Sequence, residues 1–180
     1  MRSKLTLAGA LSLALLLPAS SLAAAPVATS KQDTAVAYFD SPDGSTCVIM
    51  TLTQGTYRPV GSDTWSYGQA VDLQLAAGGC SPTTGTGSAA LDSDQYRIFP
   101  LAAAYVAVLG IDVGGHVVDV DVAWVATGTP RYASELHDGW SFVGKDVGAH
   151  LTGTVVVDGV PYVAQQESAI LRSFAVSKNF

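Results

Sequence analysis

The feature that most constrains the fold is a Gly-Gly pair between two valine-rich runs. Gly114 and Gly115 divide residues 101–128 into two apolar segments of similar length. A two-residue connection with glycine at both positions is typical of a tight β-hairpin, because such a turn requires a positive φ at both. The pair therefore predicts an antiparallel hairpin in which Val113 faces His116 and further pairs follow one residue at a time along each strand.

This register is supported by the side chains that it brings together. It pairs Tyr105 with Trp124 and Ile111 with Val118, so the apolar residues of both runs share one face of the sheet. The predicted core face comprises Tyr105, Ala107, Leu109, Ile111, Val118, Val120, Val122 and Trp124. The opposite face carries Val106, Val108, Gly110, Asp112, Asp119, Asp121, Ala123 and Val125.

The other apolar segments after residue 33 are short, rich in Val, Tyr, Trp and Thr, and bounded by Gly, Pro, Asp or Ser. Short segments of this composition with turn-forming residues at both ends are typical of strands. The pairs Asp158-Gly159 and Asp43-Gly44 predict two more hairpins. Long connections are expected at residues 54–69, 76–94 and 129–147. About eight short strands predict an all-β fold, an antiparallel β-sandwich, with a β-barrel as the alternative.

The N-terminal residues 1–25 predict a secretory signal peptide. Arg2 and Lys4 form a basic start, residues 5–18 are apolar, and small residues follow before several alternative cleavage sites. The apolar run is shorter than the roughly 20 residues that a membrane-spanning helix needs, so no membrane span is expected. Residues 26–180 are then one secreted, extracellular β domain.

The charge of the chain excludes some partners. Its 9 basic and 15 acidic residues give a net charge of −6, and removal of Arg2 and Lys4 with the signal peptide makes it −8. Without a basic cluster in the mature domain, the surface would repel phosphate, so nucleic acid is not an expected partner.

The two cysteines, Cys47 and Cys80, both follow the predicted cleavage site. In an oxidising compartment a single disulfide is the expected state, and a loop of this length would stabilise the fold by roughly 3 to 4 kcal/mol. Two buried free thiols are the alternative. A zinc site is disfavoured because no second pair of ligands lies at a suitable spacing.

Two groups of side chains are candidate binding sites. Aromatic residues in polar, glycine-rich surroundings suit stacking on sugar rings or packing against a protein partner, although they could also turn inward and cap the ends of a sandwich. These candidate ligand-binding residues are Tyr57, Trp65, Tyr67 and Trp140. The acidic face of the predicted hairpin offers oxygen ligands for Ca²⁺ from Asp112, Asp119 and Asp121, and a solvated acidic face is the alternative. No other cofactor is expected.

Known catalytic motifs are missing from the sequence. It has no Gly-x-Ser-x-Gly elbow, no Cys-x-x-Cys and no phosphate-binding loop with a lysine, and its histidines are His116, His137 and His150. Catalytic residues therefore cannot be assigned from the sequence, and an enzyme is the less favoured interpretation.

Three segments resemble β-rich secreted proteins of unassigned function from high-GC bacterial genomes, namely residues 118–128, 153–159 and 168–171. The resemblance covers roughly the last 80 residues, is carried by strand and turn patterns, and implies a β-rich exported domain without supplying catalytic residues. We expect a module that binds a glycan or a protein. A secreted hydrolase without a recognisable motif and a structural protein associated with the cell surface are the alternatives.

Overall fold

The computed structural model describes residues 28–58, 64, 66–137 and 140–178. The predicted signal peptide and the candidate residue Trp65 lie outside this part of the chain. The ten strands are β1 (Ala28–Asp40), β2 (Thr46–Arg58), β3 (Ser66–Ala77), β4 (Thr83–Ala90), β5 (Tyr96–Phe99), β6 (Ala103–Val113), β7 (His116–His137), β8 (Trp140–Val157), β9 (Val160–Ala164) and β10 (Ile170–Lys178). A 3₁₀ turn, Gln166–Ser168, precedes β10. Among the residues described, no helix is long and apolar enough to span a bilayer.

The predicted all-β antiparallel fold is confirmed, with ten strands in place of about eight. The strands form one continuous sheet in the order β4-β3-β2-β1-β10-β8-β7-β6-β5, and β9 pairs with both β1 and β8. The sheet curls until β4 and β6, near its opposite ends, come into contact. A Cβ atom on Gly87 of β4 would lie 2.0 Å from the backbone oxygen of Asp112 of β6, so only glycine permits this approach.

The core lies on the concave face of this curled sheet. Its largest fully buried side chains are Trp124, Phe39, Met50, Leu52, Leu73 and Leu171. Trp124 of β7 reaches across the core and donates its indole N–H to the backbone oxygen of Val36 of β1 at 3.1 Å. Most buried residues of β2 and β3 alternate along the strand because successive side chains point to opposite faces of a sheet.

The hairpin of β6 and β7 confirms the predicted turn, since Val113 faces His116. Beyond the first three pairs, however, Leu109 and Gly110 together stand opposite Asp119 alone, which makes a β-bulge. Gly110 has a φ of +72°, and its N–H donates to the Asp119 carboxylate at 2.8 Å. Glycine tolerates this backbone conformation, and the aspartate accepts from an amide that no longer follows the regular ladder.

The bulge corrects the predicted register in the first half of β6. Tyr105 faces Ala123, not Trp124, which faces Ala104 instead. Leu109, predicted to be in the core, is 80% exposed. Since one extra residue turns every preceding side chain to the other face, the buried residues here are Ala104, Val106 and Val108.

The predicted long connections are also corrected, because they are mostly strand. Residues 129–137 and 140–147 continue β7 and β8, residues 54–58 and 66–69 continue β2 and β3, and β4 occupies part of the connection at residues 76–94. No described side chain in the lengthened parts of these strands is fully buried except Val147. Without a buried face the sequence lacks the alternation by which strands are predicted.

These lengthened parts, with the adjoining ends of β1 and β10, form a region that we call the sheet extension. It consists of residues 28–33, 54–58, 66–69, 131–137, 140–146 and 172–178. None of its described side chains is fully buried. The rest of the sheet, which encloses the core, is called the body.

The predicted disulfide is confirmed. Cys47 and Cys80 are bonded, with 5.1 Å between their Cα atoms, and join the start of β2 to the connection between β3 and β4. Cys47 is fully buried. The crosslink therefore ties a turn at one end of the body to its core.

Candidate functional site

The sheet extension presents an outer face whose composition follows from strand register. On β2, Val48, Met50 and Leu52 are buried on one face of the strand, so Gly55 and Tyr57 point to the opposite, outer side. Residues that face each other across a ladder share one side, so the register identifies the rest of this face. One row across the six strands is Ser66, Tyr57, Ser30, Val176, Phe142 and Glu135. The adjacent row is Gly68, Gly55, Gln32, Phe174, Gly144 and Ala133.

The first of two grooves on the outer face lies over β1, β2 and β3. It has a volume of about 520 Å³ and is lined by Tyr57, Gly55, Gly68, Gln32, Ser66 and Asp72, among others. The Tyr57 side chain is 48% exposed. A Cβ atom on Gly68 would meet no heavy atom within 4 Å, so open space stands above this glycine. The groove thus combines an aromatic wall, a glycine floor and hydrogen-bonding side chains.

The second groove lies over β7, β8 and β10 and has a volume of about 460 Å³. Its lining includes Phe142 and Phe174, which stand beside Gly144. A Cβ atom on Gly144 would lie 3.5 Å from the Cβ of Phe174, which is an ordinary van der Waals contact. At its border Arg131 donates to Asp146 at 2.7 Å. Charged and aromatic groups therefore meet at this groove.

The predicted aromatic residues fall on both faces of the extension. Tyr57 lines the first groove, and Trp140, which is half-buried, begins the strand segment that carries Phe142 on the outer face. Tyr67, 58% exposed, is also among the residues that line the first groove, and its hydroxyl group is hydrogen-bonded to that of Tyr96 on the inner face. None of the three is fully buried, so they do not simply fill the ends of the core.

Phe174 is one of the groove residues that are not among the candidates predicted from the sequence. It follows Arg172 and precedes Val176, and all three share one face of β10. In the sequence these larger residues alternate with the small residues Ser173, Ala175 and Ser177, and this alternation was the available signal. That signal shows a strand, but it does not show that Phe174 lies beside residues of β8.

Tyr96 is the phenol most affected by its surroundings. Burial and, second, the hydrogen bond with Tyr67 raise the pKa of Tyr96 to about 12. This bond links β5 to the extension, as does the bond from the Gln54 amide to the backbone oxygen of Ile98 at 3.3 Å. The inner face of the extension is thereby joined to the body near β2 and β3.

The three candidate metal ligands have separate roles in the hairpin. The Asp112 carboxylate accepts from the backbone N–H of Gly115 at 3.0 Å, and that of Asp119 accepts from Gly110. Asp121 is exposed. In the described part of the chain, the one group of three potential ligands whose atoms converge is Asp40, Cys47 and Cys80, and its two sulfurs form the disulfide. Calcium binding by the aspartates stays a prediction.

Potential catalytic groups gather at the other end of the molecule. His116 Nδ1 and a carboxylate oxygen of Asp158 lie 2.7 Å apart, beside a hollow of about 500 Å³ that is also lined by Ser45. Hydrogen bonds from His116 and from the backbone N–H of Val117 lower the pKa of Asp158. Asp158 thus joins the β6–β7 turn to the β8–β9 turn, which is a structural use of this pair. His150 is exposed on β8, and the side chain of His137 lies outside the described residues.

Comparison with known proteins gives one distant likeness. No protein-family model and no curated protein matches the chain. Among solved structures, the fold is similar to that of a Nitrosomonas europaea protein provisionally named AttH, with 7% sequence identity and a TM-score of 0.38. The alignment covers 83% of this chain and 50% of the other, so the chain spans about half the length of that structure. A likeness at this level says nothing about function.

Proposed function

We propose that the protein is an exported carbohydrate-binding module whose ligand lies along the outer face of the sheet extension. The observation that carries this proposal is the pair of open grooves on that one face, each with an exposed aromatic side chain beside a glycine. Export is supported by the Cys47–Cys80 disulfide, since such bonds persist in oxidising compartments.

The chemistry of the grooves suits sugar rings. The face of an aromatic ring carries partial negative charge, which attracts the C–H groups on the apolar face of a pyranose. Tyr57 and Phe142 offer such rings at 48% and 40% exposure. Gly68, on which a Cβ atom would meet open space, leaves room for a flat ring to approach the sheet in the first groove. Hydroxyl groups of the sugar would meet Gln32 and Ser66 in the first groove and Glu135 in the second.

The arrangement favours binding over hydrolysis. The His116–Asp158 pair lies beside a different hollow from the two grooves and is used to join two turns. A carbohydrate hydrolase would need two carboxyl groups flanking one bond. In the first groove the one carboxylate among the lining residues is that of Asp72. The second groove has Glu135 and Asp146, and Asp146 is engaged by Arg131.

The proposal is tested by binding measurements with soluble oligosaccharides and insoluble cell-wall polysaccharides. A ligand that binds the folded state raises the melting temperature by mass action, so a thermal-shift screen selects the sugar for calorimetry. We expect Tyr57→Ala and Phe142→Ala each to weaken binding at least about tenfold, since each removes a stacking platform. Tyr105→Ala, which removes an exposed tyrosine from the body, is the matched control and should bind normally.

Two results would overturn the proposal. One is the failure of every sugar class to bind or to raise the melting temperature. The other is binding that survives loss of both Tyr57 and Phe142, because the ligand would then lie elsewhere. A polypeptide that binds in place of a sugar, with the same dependence on Tyr57, would assign the face to a protein partner and also refute carbohydrate binding.

A further inference from the structure

In the part of the chain that the structure describes, the second half of β7 is a free edge of the sheet. Within the described residues, 131–137 form a ladder with β8 on one side, whereas the ladder with β6 on the other side ends at the pair Ala103–Val125. Every described side chain from 127 to 136 is exposed. From residue 131 onward, this edge offers backbone N–H and C=O groups to another strand.

We infer that this edge pairs with the same edge of a second copy of the chain, antiparallel and about a two-fold axis at Ala133. In an extended strand the backbone groups of alternate residues point to alternate sides. Two identical edges can therefore pair only if facing residues are both odd-numbered or both even-numbered. Centring the ladder on Ala133 satisfies this condition and lets residues 129–137 of one copy cover residues 137–129 of the other.

Charge selects this register among those that parity allows. With Ala133 on the axis, Arg131 of each copy faces Glu135 of the other, so two opposite-charge pairs form at once. Moving the axis by one residue in either direction places Arg131 against Ala133 or against position 137 and separates it from Glu135. Directly opposite charges on one face stabilise a strand pair, whereas like charges there destabilise it.

Arg131 is already held on the outer face in a position to make this contact. Its Nη2 atom donates to Asp146 of β8 at 2.7 Å, and the side chain is 77% exposed. A guanidinium group has five N–H donors, so it can bond Asp146 and a second carboxylate at the same time. Glu135 shares this face with Arg131, as their numbering and their pairing with β8 show.

The inner face of the same edge exposes apolar area that the pairing would cover. Tyr132 is 63% exposed and Leu136 is 74% exposed. Across the axis Tyr132 would face Ser134, and Leu136 would face Pro130. Charged side chains on an edge strand commonly discourage association. The charges of this edge, Arg131 and Glu135, have opposite signs and complement themselves.

The pairing would also extend the candidate site. A two-fold axis perpendicular to the sheet keeps both outer faces on the same side. The second groove is lined by Ala133, Ser134 and Glu135 and so reaches the free edge. In the dimer two such grooves would lie side by side across the axis. The inference itself does not depend on carbohydrate binding, since it uses only the strand edge.

The first test is the mass of the purified protein in solution, by sedimentation or light scattering over a range of concentrations. We expect a dimer. Glu135→Arg places like charges opposite each other at two points of the ladder and should yield a monomer. Glu167→Arg makes the same charge change at an exposed site in the 3₁₀ turn and should remain dimeric. A monomeric wild-type protein at the highest concentration, or a dimer that is unaffected by Glu135→Arg, would overturn the inference.

A disulfide trap tests the register without relying on the stability of a charge variant. Cys47 and Cys80 are already bonded, so one added cysteine has no partner within its own chain. Ala133→Cys lies on the axis and should crosslink two copies under oxidising conditions. Ser134→Cys faces position 132 of the other copy and should crosslink far less. A reversed preference, or assemblies that keep growing beyond two copies, would contradict pairing about Ala133.

Discussion

The body and the sheet extension are built from the same strands, yet they are stabilised differently. In the body, the strands that line the core bury one face, and the core includes Trp124, Phe39 and Met50. In the extension, no described side chain is fully buried, and cross-strand pairs and backbone hydrogen bonds stabilise it. A strand can therefore continue beyond the core that specifies it. The part that continues is left with two accessible faces and a free edge, which is where binding is proposed.

The substitution with the largest expected effect on the free energy of unfolding lies in the body. Trp124→Ala would remove the largest buried side chain and the hydrogen bond to Val36, and should lower the free energy of unfolding by about 3 to 5 kcal/mol. Tyr57→Ala, in the extension, should change it by no more than about 0.5 kcal/mol. Denaturant unfolding measures both. Similar losses for the two variants would show that the extension contributes to the core as the body does.

Substitution of one glycine in each region tests the same difference between body and extension, with smaller expected changes in stability. Gly87→Ala would place a methyl group against the backbone of β6, where no flexible side chain can yield, and should destabilise the fold by about 1 to 3 kcal/mol. Gly68→Ala meets open space in the extension. It should be neutral or stabilise by up to about 1 kcal/mol, because alanine restricts the unfolded chain more than glycine does. Melting temperatures of the two variants test this contrast, and an equal loss for both would contradict it.

The smallest expected effect is a pH dependence at a turn of the body. The side chains of Ser41 and Ser45 and the Ser45 backbone N–H bond the Asp43 carboxylate and lower its pKa from 3.8 to about 2. A pKa that is lower in the folded state contributes stability above the unfolded-state value, and this contribution is lost as the pH falls from about 4 to about 2.

Asp43→Asn removes this titration, so the melting temperature of the variant should fall less steeply over that pH range than that of the wild type. Glu167→Gln, which neutralises an exposed carboxyl group in the 3₁₀ turn, is the matched control. Parallel curves for Asp43→Asn and the wild type would show that the turn does not depend on the ionised carboxylate.

Local chemistry explains which parts of the fold could be predicted. The turns at Gly114-Gly115 and Asp158-Gly159 were predicted because their residues adopt a positive φ, and the structure has positive φ at all four. The disulfide could be expected from the number of cysteines and the predicted export. The β-bulge was missed because Gly110 and Asp119 are nine residues apart and become partners only once the strands pair.

The candidate site was predicted only in part, for a related reason. Tyr57 was selected because an aromatic residue stood among polar and glycine residues, and it does line a groove. Tyr67 was selected on the same grounds and is also among the residues that line this groove, while its hydroxyl group bonds that of Tyr96 on the inner face. Phe174 lies more than a hundred residues from Tyr57 in the chain. Only the central pair β1–β10 joins the two halves of the face.

The sequence by itself determined the strand class, the tight turns and the cysteine pair, because each depends on residues that are adjacent in the chain or on a simple count. Tertiary structure alone decided how far each strand extends, where the register shifts and which side chains share the outer face. A strand lengthens when a neighbour supplies hydrogen-bond partners, whether or not a core lies beneath it. That neighbour is set by the folding of the whole sheet, so the surface proposed to bind a ligand is a property of the pairing and not of any one segment.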